Sequence, residues 1–229
     1  MAEIVLVHGA GLGSWIWAGV LPHLAQAGHR ARAIDLPGRG GAPTTLAAQA
    51  ASVLAAAGPR AVLVGHSAGG FAITAAAEAA PDRVAGLIYL CAFIPRAGAS
   101  IADLRREGRA AGLKAAYRVA PDRKSFAFDP EAAEALFYHD CPDPAGAAAG
   151  MVAEPVAPQE TALPSVAAAM ALPRAAIFCQ DDRAIPPALQ MQMAAGIAAT
   201  ARLPCGHAPF LAMPERLAGV ISTLAAPMA

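Results

Sequence analysis

The sequence predicts an α/β fold: a doubly wound, mostly parallel sheet of about six strands, with a helical cap inserted after the fourth strand. Short apolar runs, each the length of one buried strand, alternate with helical segments along most of the chain. Such alternation is typical of parallel strands joined by helices. The pattern is interrupted once, over residues 96–164. A chain of 229 residues suits one such domain with a modest insertion.

The composition argues against several classes of protein. Basic and acidic residues balance at 17 each, without a basic block, so neither nucleic acid nor a membrane surface is an expected partner. The four cysteines are widely spaced, so we expect neither a disulfide framework nor a structural zinc site. The apolar run at the amino terminus lacks a basic leader and is interpreted as a strand, which favours a cytoplasmic protein.

The first part of the chain predicts two strands. Residues 3–8 form an apolar run, and the glycine-rich loop 9–14 follows it directly. A helix that begins at Trp15 is expected to stop at Gly28. Residues 30–34 then form the second strand.

Two further strands flank the most informative turn of the chain. A helix over residues 45–57 ends at a Gly-Pro pair, and the apolar run 61–65 follows. An alanine-rich helix over 68–80 is closed by a proline, and the fourth strand covers 84–93.

Residues 96–164 are richer in proline, glycine and charge and contain only short helical pieces. They predict a cap over the carboxyl edge of the sheet, with residues 1–95 and 165–229 forming the core. The cap carries the aromatic residues Tyr117, Phe126, Phe128, Phe137 and Tyr138. These side chains either line a substrate pocket or form the cap's own small core, which is the commoner fate of apolar side chains.

The alternation resumes after the cap. Residues 174–179 and 200–203 are predicted strands, and 187–196 and 214–224 are predicted helices.

The sequence Gly65-His66-Ser67-Ala68-Gly69 joins a predicted strand to a predicted helix. This G-x-S-x-G pattern is typical of a sharp turn that exposes a nucleophilic serine. The glycines remove side chains that would clash with the strained serine backbone. The alternative is that Ser67 only caps the helix. A nucleophilic Ser67 requires a base, an orienting acid and an oxyanion site.

Candidates for the base and the acid follow two later strands. His207 lies in a Gly-His loop after the sixth strand, and Asp181 and Asp182 both follow the fifth. Ligand sites of such sheets collect at the carboxyl ends of the strands, and the order Ser, Asp, His fits a nucleophilic hydrolase. Either aspartate could follow the strand, and Asp182 is preferred because it lies two residues before the apolar segment Ala184-Ile185-Pro186.

The loop after the first strand is expected to supply one oxyanion-hole amide, from Ala10, while Ala68 supplies the other. A dinucleotide site is the alternative use of this loop, but Ile16 stands where the third glycine would be needed. Asp35, after the second strand, is expected to anchor loop amides rather than a ribose.

Together these motifs resemble the α/β-hydrolase superfamily, and within it the group of plant methylesterases (salicylate-binding esterases), hydroxynitrile lyases and their bacterial esterase relatives. The resemblance covers nearly the whole chain, the cap least. It rests on four motifs: His8-Gly9-Ala10-x-x-Gly13-x-Trp15-x-Trp17, Gly65-His66-Ser67-x-Gly69-Gly70, Asp182-x-x-Ile185-Pro186, and His207 with Pro214 seven residues later. The resemblance implies that Asp182 is the acid of a Ser67-His207-Asp182 triad.

Two departures from the resemblance bear on the reaction. Hydroxynitrile lyases of this group carry a lysine where this chain has Ala208, and tend to carry a threonine where it has Ala10. The sequence therefore predicts a serine carboxylesterase that hydrolyses small, rather apolar esters, such as methyl or aryl esters, through an acyl-enzyme. The alternatives are a hydroxynitrile lyase and a non-catalytic ligand-binding protein on the same scaffold. A haloalkane dehalogenase is disfavoured because it needs an aspartate in place of Ser67.

The expected partner is a small-molecule ester, and neither a metal nor an organic cofactor is required. The expected assembly is a monomer or a homodimer. The candidate substrate-binding residues are Gly11, Trp15, Tyr117, Phe126, Phe128, Phe137 and Phe210.

Overall fold

The computed structural model describes residues 1–108 and 111–229. Its strands are β1 (Glu3–Val7), β2 (Arg30–Ile34), β3 (Ala61–His66), β4 (Val84–Leu90), β5 (Tyr117–Val119), β6 (Ser125–Phe128), β7 (Glu154–Pro155), β8 (Arg174–Cys179) and β9 (Ala199–Leu203). Its α-helices are α1 (Leu21–Gln26), α2 (Leu46–Ala56), α3 (Gly69–Ala79), α4 (Ile101–Glu107), α5 (Ala111–Ala116), α6 (Pro130–Phe137), α7 (Pro144–Ala149), α8 (Ala157–Glu160), α9 (Ala167–Ala171), α10 (Pro187–Met193), α11 (Pro209–Ala212) and α12 (Pro214–Ala225).

The main sheet has six strands in the order β2-β1-β3-β4-β8-β9, and every neighbouring pair is parallel. The predicted α/β class and six-stranded sheet are confirmed. The chain steps from β1 outward to β2 and then back across to β3, so the strand order reverses beside β1. In open α/β sheets, such a switch point opens a crevice at the carboxyl ends of the strands. The loops that follow β1 and β3 meet at this crevice.

Helices flank the sheet: α2 packs against α3, and α1 packs against α12. Strands β3 and β4 are buried along their whole length, as expected for parallel strands that are covered on both faces. The helix α2 begins where its sequence suggests, because the Thr45 hydroxyl accepts a hydrogen bond of 3.1 Å from the Ala48 amide.

Three predicted elements differ in extent from the structure, and one of them is the helix predicted over residues 187–196, which ends at Met193. The fourth strand ends at Leu90 rather than at residue 93, because Cys91 adopts a left-handed backbone with φ of 34°. The first predicted helix is split into a 3₁₀ turn, Ser14–Trp17, and the short helix α1.

The segment between β4 and α9 contains the helices α4 to α8 and a small antiparallel sheet in the order β5-β6-β7. We did not predict this small sheet, because strands of two to four residues are too short to display alternation. The division into a core of 1–95 and 165–229 and a cap of 96–164 stays a prediction. Residues 109 and 110 of that cap lie outside the described residues.

Within the described ranges, no helix combines the length and the apolar character needed to cross a bilayer. All four cysteines are free and buried.

Candidate active site

Ser67 stands at a sharp turn directly after β3. Its φ of 52° places a non-glycine residue in the left-handed region, which is a strained position for a side chain that bears a Cβ. The turn is fixed to the end of β4, since Ser67 N donates to Leu90 O at 3.2 Å and Phe93 N donates to Ser67 O at 3.1 Å. A Cβ at Gly65 would lie 2.7 Å from Gly69 O. The glycine spacing therefore serves the close packing of this turn.

His207 and Asp182 form a buried pair. His207 Nδ1 lies 2.7 Å from Asp182 Oδ2, and both side chains are almost completely removed from solvent. A carboxylate only accepts, so Nδ1 of His207 carries the proton and Nε2 is left as an acceptor. Asp181, the other candidate acid, is exposed. The structure thus brings Asp182, and not Asp181, to the imidazole.

The Asp182 carboxylate is held by three further hydrogen bonds. Oδ1 accepts from the Ala184 and Ile185 amides at 2.8 and 2.9 Å. Oδ2, the atom that contacts His207, also accepts from Gln190 Nε2 at 2.9 Å. Each oxygen thus has two hydrogen-bond partners, as a buried carboxylate requires.

The His207 loop is positioned by His66. His66 Nε2 donates to the His207 carbonyl at 2.9 Å, and the two imidazole rings lie 4.7 Å apart. Burial lowers the pKa of His66 well below its ordinary value, and the neighbouring His207 lowers it further. His66 is therefore neutral and adds no competing charge beside the imidazole of His207.

Ser67 and His207 line the same cavity. Both residues lie in the described part of the chain, and no hydrogen bond joins their side chains there. Hydrogen bonds between catalytic groups are often long before substrate binds, so this geometry is compatible with a nucleophile and its base.

The two residues predicted to supply the oxyanion-hole amides lie at the cavity with Ser67. Ala10 and Ala68 both line it. Neither amide donates to a protein acceptor within residues 1–108 and 111–229. Free N–H groups beside a nucleophile are the arrangement needed to bind an oxyanion.

The loop that carries Ala10 is held by buried contacts. His8 contacts Gly9 O through Nδ1 at 2.8 Å and accepts from the Leu36 amide through Nε2 at 3.0 Å. Burial lowers the pKa of His8 to about 4, so this imidazole is neutral near pH 7. Asp35 accepts from the Ser14 amide at 2.6 Å, which is the loop-anchoring role expected for it.

The same loop is also bound to the cap. The Val152 amide donates to Gly11 O at 2.9 Å. Gly11 has φ of 76°, and a Cβ there would lie 2.7 Å from Met151 Cε. The positive φ favours glycine at this contact, whereas the Met151 methyl is the end of a flexible side chain that can move aside.

The cavity around Ser67 encloses about 420 Å³ of empty space, its open mouth included. Its walls are mostly apolar and aromatic. Four of the candidate substrate-binding residues line it: Tyr117, Phe128, Phe137 and Phe210.

The remaining three candidates do not line this cavity. Gly11 and Trp15 lie outside the lining, and so does Phe126, whose ring packs behind it against Tyr117 and Phe128 at 4.6 and 5.6 Å between centroids. That these three residues bind substrate stays a prediction, since none of them lines the cavity.

Several residues at the site were not predicted from the sequence. Gln190 binds Asp182, and Leu12, Phe93, Leu113, Met151 and Gln159 add to the cavity wall, which Tyr138, one of the cap aromatics, also lines. An isolated glutamine on the helix α10 carries no motif, although a polar side chain among apolar neighbours is a weak sign of a buried partner.

A second, small cavity is also lined by Ala10 and Ala68. Glu154 from β7 faces it and is 5% exposed. Burial raises the pKa of Glu154 to about 7, although the Gly11 amide and Arg39 oppose the rise.

One group of side chains has donor atoms close enough together to hold a metal ion. The donor atoms of His66, Cys91 and His207 lie within 4.8 Å of one another. A thiol binds metal as thiolate, but burial raises the pKa of Cys91 to about 11. In addition, His207 Nδ1 is occupied by Asp182. These residues fit a packed polar cluster better than a metal site.

Comparisons with known proteins agree with this architecture. Over 246 aligned residues the chain is 33% identical to a pyrethroid hydrolase of Sphingobium wenxiniae, covering 98% of this chain and 88% of that protein. It is 33% identical to Methylesterase 7 of Arabidopsis thaliana over 105 residues, covering 41% of this chain and 40% of the methylesterase. The crystal structure of a pyrethroid hydrolase from Sphingobium faniae is similar with a TM-score of 0.85 and 30% identity, covering 99% of this chain and 98% of that one.

The alpha/beta hydrolase family matches residues 4–220. The predicted resemblance to this superfamily and to its plant and bacterial esterases is confirmed. The family and its esterase members support an ester-hydrolysing enzyme. This chain belongs to the α/β-hydrolase family.

Proposed function

We propose that the protein is a serine carboxylesterase that hydrolyses apolar carboxylic esters, with Ser67 as nucleophile, His207 as base and Asp182 as orienting acid. The observation that carries the proposal is the buried 2.7 Å contact between Asp182 and His207 at the edge of the cavity that Ser67 lines.

In the first step Ser67 Oγ attacks the ester carbonyl carbon. His207 Nε2 takes the serine proton, and Asp182 stabilises the imidazolium that forms. His207 then protonates the departing alcohol, which leaves an acyl-enzyme on Ser67.

In the second step water attacks the acyl-enzyme. His207 accepts one proton from this water and returns it to Ser67 Oγ as the carboxylic acid departs. The amides of Ala10 and Ala68 bind the oxyanion of both tetrahedral intermediates, and the loss of one such donor typically costs about 10²–10³ in turnover.

The substrate proposed is an ester with apolar groups on both sides, such as an aryl or methyl ester. The apolar cavity wall supports this class, and so do the names of the relatives, a pyrethroid hydrolase and a methylesterase. Ala208, buried beside the base, offers no ammonium to a departing cyanide. None of the described residues that line the cavity favours cyanohydrin cleavage.

The test is hydrolysis of p-nitrophenyl butyrate, a methyl arylacetate and a pyrethroid by the purified protein. We expect Ser67→Ala to abolish turnover of every ester that the wild type hydrolyses, and Asp182→Asn to lower kcat by about 10⁴. Asp181→Asn is the matched control, because it removes the adjacent exposed carboxylate, and its kcat should stay within twofold of wild type. Equal rates for wild type and Ser67→Ala would overturn the proposal, as would benzaldehyde release from mandelonitrile without ester turnover.

A further inference from the structure

The Tyr138 hydroxyl is a buried polar group without a protein partner. Tyr138 is 1% exposed, and its hydroxyl has no hydrogen bond to any described residue. An unsatisfied buried hydroxyl is unfavourable for folding, and such groups in native proteins call for an explanation. Tyr138 also lines the cavity around Ser67. A molecule in that cavity is therefore the available partner.

The segment that carries Tyr138 packs against the His207 loop. Asp140 Oδ2 accepts from the Gly206 amide at 2.6 Å, and Cys141 Sγ lies 3.9 Å from Ala208 O. The Phe137 ring, directly before Tyr138, lies 5.5 Å from the imidazole of His207 between centroids. Tyr138 thus reaches the cavity from the side of the base.

Two other polar side chains from residues 96–164, those of Gln159 and Arg105, lie elsewhere. Gln159 borders both this cavity and the second one that Ala10 and Ala68 also line, which places it on the oxyanion side. The guanidinium of Arg105 lies 4.3 Å from the centre of the Tyr117 ring. Burial raises the pKa of the Tyr117 hydroxyl, and Arg105 opposes this rise. Among the described lining residues, Tyr138 is the cap hydroxyl on the base side.

Burial raises the pKa of Tyr138 far above its ordinary value, so the hydroxyl stays protonated throughout the working range of an esterase. A neutral hydroxyl both donates and accepts a hydrogen bond. A water molecule beside His207 needs two or more polar partners to be ordered in an otherwise apolar wall.

We propose that Tyr138 positions the water that hydrolyses the acyl-enzyme, a role that rests on the proposed esterase function. One hydrogen of this water is directed at His207 Nε2, and the other is accepted by the Tyr138 oxygen. The free lone pair of the water then faces the acyl carbon on Ser67. As the new C–O bond forms, the proton passes to His207 and then to Ser67 Oγ, whose bond to the acyl carbon breaks.

Tyr138→Phe deletes only the hydroxyl, so it tests this role directly. Stopped-flow release of p-nitrophenol from p-nitrophenyl butyrate separates acylation from deacylation. We expect the variant to show a burst equal to one acyl group per Ser67, with a steady-state kcat about tenfold to a hundredfold below wild type, the size of effect expected for lost positioning in proton transfer. Because only deacylation slows, KM should fall in parallel, and kcat/KM should stay within twofold.

The matched control is Tyr89→Phe, the same deletion at a buried tyrosine of β4 that does not line the cavity and whose hydroxyl lies 2.8 Å from Thr74 Oγ1. Its kcat and kcat/KM should both remain within twofold of wild type. The melting temperature of Tyr138→Phe should be unchanged or higher, since an unpartnered hydroxyl is removed, and this result would exclude misfolding as the cause of a slower turnover.

A wild-type kcat in Tyr138→Phe would overturn the inference, and so would a fall in kcat/KM without a burst. Either result would leave the esterase proposal intact, provided that Ser67→Ala is inactive. Absence of ester turnover in the wild type would instead contradict the esterase proposal itself.

Discussion

Gln190 donates its side-chain amide to Asp182 Oδ2, the same oxygen that contacts His207 Nδ1. The glutamine is itself fixed at both ends, because Nε2 also donates to Ile185 O at 2.7 Å and Oε1 accepts from the Cys179 amide at 3.2 Å. Gln190 therefore sets the direction from which the carboxylate approaches the imidazole.

Replacement of Gln190 by leucine should lower esterase kcat by about tenfold to a hundredfold, since a hydrogen bond to a charged group contributes about 1.5–3 kcal/mol. Steady-state assays on p-nitrophenyl butyrate measure this effect. Gln192→Leu is the control, because Gln192 is exposed on the same helix. The positioning role is contradicted if the two variants have the same kcat.

Gly65→Ala should disturb the turn that carries Ser67. The new Cβ would lie 2.7 Å from Gly69 O and 3.0 Å from Gly70 N, both backbone atoms that cannot move alone. We expect a loss of about 1–3 kcal/mol in unfolding free energy, typical of overpacking, together with loss of ester turnover.

The control for this glycine is Gly219→Ala in α12, where a Cβ meets nothing within 4 Å. That variant should gain up to about 1 kcal/mol, because alanine favours a helix over glycine. Urea unfolding of both variants distinguishes the two effects, and equal stabilities would show that the turn tolerates a side chain.

Glu154 makes stability fall as pH rises. Its pKa is about 7 in the folded protein against an ordinary 4.5, so the folded state binds more protons than the unfolded chain between these values. Glu154→Gln should match wild type near pH 4.5 and exceed its unfolding free energy by about 3 kcal/mol at pH 8. Urea unfolding at both pH values measures the difference. The exposed Glu160→Gln serves as control and should show no such pH dependence.

His8 acts in the opposite direction. Its folded-state pKa of about 4 lies below the ordinary 6.5, so its contribution to stability is present above pH 6.5 and is lost as pH falls toward 4. Between pH 7 and pH 5 this amounts to about 2 kcal/mol. His8→Gln in a Glu154→Gln background should reduce this acid dependence, whereas His23→Gln should retain it. An unchanged slope in the His8 variant would mean that His8 titrates normally.

Local sequence was sufficient for the parts of the site that are encoded by short motifs. The glycines around Ser67 and the positions of Asp182 and His207 after their strands are local features, and the parallel sheet brings the ends of those strands together. The position of Asp182 before the apolar segment 184–186 favoured it over Asp181, and the resemblance to a known family made that choice firmer. Four bonds to Asp182 now give that choice a physical basis.

The cap shows why the remainder was not predictable. Phe126 and Phe128 are two residues apart on β6, yet Phe128 lines the cavity and Phe126 lies behind it. The sequence contained no detectable strand there, so nothing separated a wall residue from a core residue. The roles of Gln190 and Tyr138 depend on contacts between segments far apart in the chain, which no local pattern records.

The hydrogen bond from the Val152 amide to Gly11 O has a mechanical consequence. It ties the segment around Val152 to the loop that carries Ala10, so displacement of that segment acts on a loop that lines the cavity with Ser67. A cap movement that widens the cavity must either break this bond or shift the loop with it. The segment around Val152 and the loop that carries Ala10 are thus coupled through one hydrogen bond.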